Sequence, residues 1–290
     1  MIFFAEYLNI HEVVLACDVG GTTLSHCAIN ARGEILIPLH GQANSHDNAE
    51  KVLHTLIDPF FHIIHALKGK YHIRGVGLGV PGPFDYQNGI SLLTKKFETL
   101  YQFDLKTYIE NTMQLPVFFR NDADCFTIGE TLFLDSSCRK IMGINLGTGL
   151  GVCFIENNRV IEEIEGVTPL PGEIWCQQFK GKDLEETLSI RGILEIAKKY
   201  LKTDSIPDNV KDLAEQAYQG DNKCISLFKE FGILLSEGLD LSIQKFQPDI
   251  LILGGQISRS LSLFSHPIET KLKIIQSKLF DKAAMLGAGF

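Results

Sequence analysis

VVLACDVGGTTLSHCAINARGEIL, residues 13–36, is matched in plan by KIMGINLGTGLGVCFIENNRVIEE, residues 140–163. In the first copy the apolar run Val13 to Cys17 ends at Asp18 and the glycine turn Gly20-Gly21-Thr22. A second apolar run (Leu24 to Ile29), a turn at Asn30 to Gly33 and a short run from Glu34 to Ile37 complete it. In the second copy Ile141 to Ile144 leads to Asn145, then Gly147-Thr148-Gly149, Val152 to Ile155, a turn at Asn157-Asn158 and Val160 to Ile161. The copies run at a constant offset, so Asp18 answers to Asn145 and Gly20 to Gly147. Each reads as strand, tight glycine turn, strand, turn, strand. A unit repeated in this way predicts two lobes of similar design, with both glycine turns opening into a crevice between them.

The segments outside the copies alternate in type. Residues 48 to 68 carry Val52, Leu53, Leu56, Ile57, Phe60, Phe61 and Ile64 at helical spacing behind a capping Asn48. Gly75 to Val80 reads as a buried strand stopped by Pro81-Gly82-Pro83. A helix over 104 to 113 precedes the short strand Val117 to Phe119 and the cluster Asn121-Asp122-Ala123-Asp124. Later, 190 to 201, 210 to 218 and 222 to 246 read as helices, and Ile250 to Leu253 as a strand ending at Gly254-Gly255. Strands alternating with helices predict an α/β fold. The lobes are expected at 1–118 and 119–290, with a final helix over 278 to 290 packing back on the first lobe.

Bulk composition narrows the function. The chain has 290 residues, 45% hydrophobic and 21% charged, which is ordinary globular material. Twenty-seven basic against 35 acidic side chains leave a net charge of −8, the wrong sign for nucleic acid or anionic lipid. The opening MIFFAEYLNI is broken by Glu6 and Asn9 and lacks a basic start, and nothing elsewhere spans a bilayer, so a cytoplasmic protein with no membrane partner is expected. Seven cysteines with no C-x-x-C pair predict neither a disulfide framework nor a compact zinc module.

A tight turn of small residues exposes several backbone N–H groups on one side, and such a nest binds phosphate oxygens unobstructed. Both glycine turns qualify, although each alone is equally well a hairpin end. Asp18 beside the first nest either caps the turn or holds a water on Mg²⁺. Gly147-x-Gly149-x-Gly151 is followed by a strand pattern, which excludes a dinucleotide fingerprint, and no Walker motif is present. Asp122, after a strand and before a helix-like segment containing Glu130, serves either as an N-cap or as a carboxylate that accepts a substrate proton; Asp124 is the alternative cap.

In order, Asp18-Val19-Gly20-Gly21-Thr22, Gly79-Val80-Pro81-Gly82-Pro83-x-Asp85, Asn121-Asp122-Ala123-Asp124 with Glu130, Gly147-Thr148-Gly149-x-Gly151, Gly172-Glu173-Ile174 and Leu253-Gly254-Gly255 resemble the ROK family of bacterial sugar kinases and sugar-responsive repressors. The resemblance covers the chain from about residue 13 onward. It implies an α/β, two-lobed, actin-like and hexokinase-like ATPase fold with duplicated RNase H-like domains around a cleft. It further implies ATP with Mg²⁺ as cofactors, held by Asp18 (the metal through water), Gly20, Gly21, Thr22, Gly147, Thr148, Gly149, Gly254 and Gly255. Asp122 would be the catalytic base, Gly82, Asn121, Glu173 and Glu185 would meet the sugar, and the assembly would be a homodimer.

This chain also departs from the family pattern. Trp175 and Cys176 stand where the family has Gly-His, and Gln177 to Asp183 contains none of the family's zinc-binding cysteines, so no zinc is expected. Trp175 is a candidate to stack on an apolar sugar face. Lys96-Phe97-Glu98-Thr99-Leu100-Tyr101 replaces a segment that lines the family's sugar pocket. These changes leave the sugar open, with hexose and acylamino-hexose both eligible and polyphosphate an alternative donor. The rival to a kinase is a sugar-binding sensor without turnover; its DNA-binding form is disfavoured by the acidic charge and the short stretch before the first strand.

Overall fold

The computed structural model describes residues 8–134, 137–201, 207 and 209–290; residues 1–7 of the opening stretch read above lie outside them. The elements run β1 (Glu12–Val19), β2 (Thr23–Asn30), β3 (Ile35–Gln42), α1 (Ala49–Leu67), β4 (His72–Val80), β5 (Phe84–Asp85), β6 (Ile90–Ser91), α2 (Leu105–Met113), β7 (Val117–Asn121) and α3 (Asp122–Thr131). They continue as β8 (Lys140–Leu146), β9 (Leu150–Glu156), β10 (Arg159–Val160), β11 (Gln178–Phe179), β12 (Lys182–Asp183), α4 (Leu184–Thr187), α5 (Ile190–Leu201), α6 (Val210–Tyr218), α7 (Asn222–Gly238) and α8 (Asp240–Phe246). The chain closes with β13 (Ile250–Gly254), α9 (Gly255–Ser258), α10 (His266–Glu269), β14 (Ile274–Gln276) and α11 (Asp281–Gly289). Among the described residues no helix is long and apolar enough to cross a membrane.

Two compact units emerge, one running to Leu132 and taking up Asp281–Phe290, the other Phe133–Phe280. The expected boundary at 118 therefore moves. It would cut β7, whose residues Val117 to Asn121 pair in parallel with Val76 to Val80 of β4, and a strand cannot leave its ladder without stranding its backbone donors and acceptors. The sheet of the first unit has the order β3-β2-β1-β4-β7 and that of the second β10-β9-β8-β13-β14. In each, three strands are antiparallel and the strands beyond β1 or β8 run parallel to it. One topology has been built twice.

Strand register corrects the constant offset. In the first hairpin Val19 faces Leu24, so residues 20–23 form the turn; in the second Leu146 faces Leu150, so residues 147–149 form it. The second turn is shorter by one residue. After it the counterpart of His26 is Val152, because His26 faces Cys17 and Val152 faces Ile144. A slip of one residue that was not absorbed in the turn would have turned every later side chain to the opposite face.

The pleat sorts the core of the first unit. Val13, Leu15, Cys17 and Val19 pack with Val52, Leu56, Phe60 and Ile63 of α1 on one face. The alternate residues face α3 and α11, where glycines allow backbone-to-backbone approach. A Cβ on Gly77 would strike the carbonyl oxygen of Ala288, one on Gly129 that of Ala283, and one on Gly287 that of Cys125. In the second unit Met142, Ile144, Leu146, Val152, Phe154, Leu251 and Leu253 pack with Leu227, Phe228, Phe231 and Leu235 of α7. The helix expected over 222 to 246 is two helices divided at Leu239. Gly238 makes room there for Leu184 and Leu188, and apolar spacing runs straight through the break.

Candidate active site

Ligands of parallel sheets gather beyond the carboxyl ends of the strands. In the first unit those ends carry the residues singled out above. Asp18 lies opposite Gly79, and Val80 opposite Asn121, so the ends of β1, β4 and β7 are level. Gly20, Gly21 and Thr22 follow β1, Gly82 follows β4, and Asp122 follows β7. Asp18 is on the face that carries α3 and α11 by the alternation of β1. Its carboxyl is pushed up to about 7, by burial first and then by the charges of Asp122 and Asp281. Asp122 and Asp281 open α3 and α11 respectively. These carboxylates repel one another, so a bound proton or a nearby cation would relieve the site, although among the described residues no three acidic, histidine or cysteine side chains converge closely enough to form a direct metal-ligand set.

Asn121, not Asp124, caps α3. Its Oδ1 accepts from the Ala123 N–H at 2.9 Å, and Asp122 Oδ1 accepts from the same N–H at 2.9 Å. Asn121 Nδ2 donates to the Tyr86 hydroxyl at 3.0 Å, and that hydroxyl donates to the Val80 carbonyl at 3.4 Å. Tyr86 thus ties the ends of β4 and β7 together, a role unmarked in the sequence except by its place just past Pro81-Gly82-Pro83. Asp281 carried no signal either, since only the return of α11 to the first unit brings it to Asp18.

The two glycine turns close alike. The Gly20 N–H donates to Thr23 O at 2.9 Å and the Gly147 N–H to Gly149 O at 3.1 Å, so neither of these two is free for phosphate. The nests are left with the N–H groups further along each turn. A Cβ on Gly147 would meet nothing within 4 Å, which keeps that turn open on its outer side and fits it to a phosphate chain. Gly254, the last residue of β13, lies opposite Asn145. Gly255 has φ +80, and a Cβ there would strike the Leu146 carbonyl oxygen and Asn145 Oδ1.

Glu185 sits under the second turn instead of standing free. Its Oε2 accepts from the Leu150 N–H at 3.1 Å and its Oε1 pairs with Arg191 Nη2 at 2.7 Å. Glu173 accepts from the Trp175 indole N–H, and Trp175 packs partly buried against the core of the second unit. A half-buried indole N–H requires an acceptor, and the adjacent carboxylate supplies it, which ties down the ring expected to stack on sugar. Cys176 is half-buried, and burial pushes its thiol up.

Comparison with known proteins places the arrangement. The model of the ROK family matches residues 14–288, and the chain belongs to that family. It is 25% identical to a glucokinase of Thermotoga maritima, over 95% of each chain. It is also 25% identical to a xylose repressor of Bacillus spizizenii, over 89% of this chain and 68% of the repressor. A ROK family glucokinase from Streptomyces griseus, solved in complex with glucose and AMPPNP, superposes with TM-score 0.74 at 23% identity, over 96% of this chain and 98% of that one. The fold is the two-lobed, actin-like and hexokinase-like one.

Proposed function

We propose that this protein phosphorylates a hydroxyl of a hexose or acylamino-hexose, the 6-hydroxyl by preference, with ATP as donor and Asp122 as base. The observation that carries the reading is the level edge of β1, β4 and β7, which sets Asp18, Gly82, Asn121 and Asp122 side by side in one unit. Asp122, its backbone held by α3 and its Oδ1 on the Ala123 N–H, accepts the proton of the attacking hydroxyl as the phosphoryl group transfers. Asn121, oriented by Tyr86, is a polar neighbour for the sugar. Asp18 would hold Mg²⁺ through water, and the ion supplies charge neutralisation for the nucleotide phosphates. The Gly20 to Thr22 and Gly147 to Gly149 turns, with Gly254 and Gly255, would receive the nucleotide. A homodimer in the cytoplasm, without zinc, completes the proposal.

A sugar sensor without turnover is the second reading. It is favoured by the internal engagement of Glu173 and Glu185 and by the similarity to a xylose repressor. Sugar-dependent ADP release, measured across hexoses, acylamino-hexoses and fructose beside Asp122→Asn, separates the two. The kinase reading expects turnover with one sugar and a loss of about 10³-fold in the variant. Sugar binding by calorimetry with no ADP release from any member of the panel would establish the sensor instead.

A further inference from the structure

The loop that departs from the family pattern presses a cation onto the first glycine turn. A Cβ built on Gly21 would fall on Lys96 Nζ and lie 2.9 Å from both Cδ and Cε, so the ammonium end of the side chain occupies the space that only glycine leaves open. The loop is pinned there. Phe97, left-handed at φ 53 and buried, donates its N–H to Ser45 O at 2.9 Å, and the Ser45 hydroxyl donates to Gly21 O at 3.3 Å. Thr99 Oγ1 donates to Asp47 O at 3.1 Å. Among the described residues Lys96 has neither an ion-pair nor a hydrogen-bond partner, while its apolar stem is folded back on Gly21. Exposed and without a protein partner, the ammonium is available to an anion that reaches the turn.

We propose that Lys96 is a catalytic residue of the phosphoryl transfer, its ammonium meeting the terminal phosphoryl oxygens of a nucleoside triphosphate received by the Gly20-Gly21-Thr22 turn. The inference rests on the kinase reading above. The charge that spreads over those oxygens during transfer is what an unpaired cation carried beside the turn by a pinned loop stabilises. The cost of losing it falls on kcat more than on the sugar's KM. A side chain at Gly21 would push the ammonium out of this pose, a shift that the flexible lysine stem makes cheap.

Lys96→Met and Lys96→Arg, with Lys95→Met as control, test this through both turnover and binding. Lys96→Met should lower kcat by about 10²-fold or more. It should also weaken AMPPNP relative to ADP by roughly tenfold in calorimetry, the scale of one charge-assisted hydrogen bond. Lys96→Arg should recover part of each, Lys95→Met should match the wild type, and thermal unfolding should be unchanged throughout. A Lys96→Met protein with wild-type kcat and an unaltered AMPPNP-to-ADP ratio would overturn the proposal while leaving the kinase reading intact. Tighter AMPPNP binding would overturn it by making Lys96 a plug in the turn, and a raised sugar KM alone would make it a sugar contact. A wild-type protein that binds no nucleotide would remove both readings together.

Discussion

The two hairpins at the heart of the units share topology and differ in chemistry. The first ends in Asp18, a carboxylate crowded by Asp122 and Asp281, with Lys96 folded onto its turn. The second ends in the neutral Asn145, its turn braced from below by Glu185 and Arg191 and touched by Gly255. Duplicating a sheet duplicates its backbone nests, and the charges were then distributed unequally. On the proposed function the first hairpin would serve the reacting end of a phosphate chain, whereas the second carries groups that hold its turn in shape.

Making the first hairpin resemble the second should break this division most strongly at Asp18. Its folded value of about 7 lies above the ordinary 3.8, so the folded state holds a proton that the unfolded state releases. Below about 4 the group is neutral in both states; as pH rises from about 4 to about 7 the fold bears a growing penalty, which is complete above 7. Asp18→Asn should therefore stabilise the metal-free protein at pH 8 by roughly 2–4 kcal/mol in denaturant unfolding, and by little at pH 4, while abolishing turnover. Equal stability of the two proteins at pH 8 would contradict the crowding.

His26 sharpens the comparison in the opposite direction, because its counterpart is Val152. Buried beneath α1 with Nε2 at 2.9 Å from Leu56 O and its ring edge-on to Phe60, it is pushed down to about 4, by burial first. The unfolded state, near 6.5, binds the proton more readily, so stability is complete above about 6.5 and declines as pH falls toward 4. That decline should amount to roughly 2–3 kcal/mol and should vanish from the pH profile of His26→Val. A profile that keeps the same acid limb in the variant would assign the limb to other groups.

The smallest effects distinguish the glycines of the second unit. Gly255→Ala puts a Cβ at φ +80 against the Leu146 carbonyl and should cost about 2 kcal/mol. Gly147→Ala enters open space and should change stability by no more than about 0.5 kcal/mol while weakening nucleotide binding. Chemical unfolding of the pair checks both figures, and equal losses would mean that the second turn is already tightly covered.

Much of this was legible in the chain. Asp18, Asn121 and Asp122 follow apolar runs and precede small or helical residues, and period-two alternation puts Asp18 on one definite face. The duplicated hairpin was visible because glycine turns and apolar strands leave strong local marks. The one-residue difference between the turns was not visible, since apolar residues on both sides of each strand let either alignment look correct. The boundary at Leu132 was hidden for a related reason: β7 reads as the start of something new, yet its hydrogen bonds belong to β4.

The sequence by itself determined the two sheets, the glycine turns at their strand ends and the acidic residues beside the first, because each depends on local pattern and on the alternation of the backbone. Only the tertiary structure decided which distant groups meet there. Asp281 reaches Asp18 after the whole second unit has intervened, Tyr86 reaches Asn121 across two strands, Lys96 reaches Gly21 across a long loop, and Glu185 turns inward to Leu150. Such meetings are set by packing between segments far apart in the chain, and no spacing within any one segment encodes them.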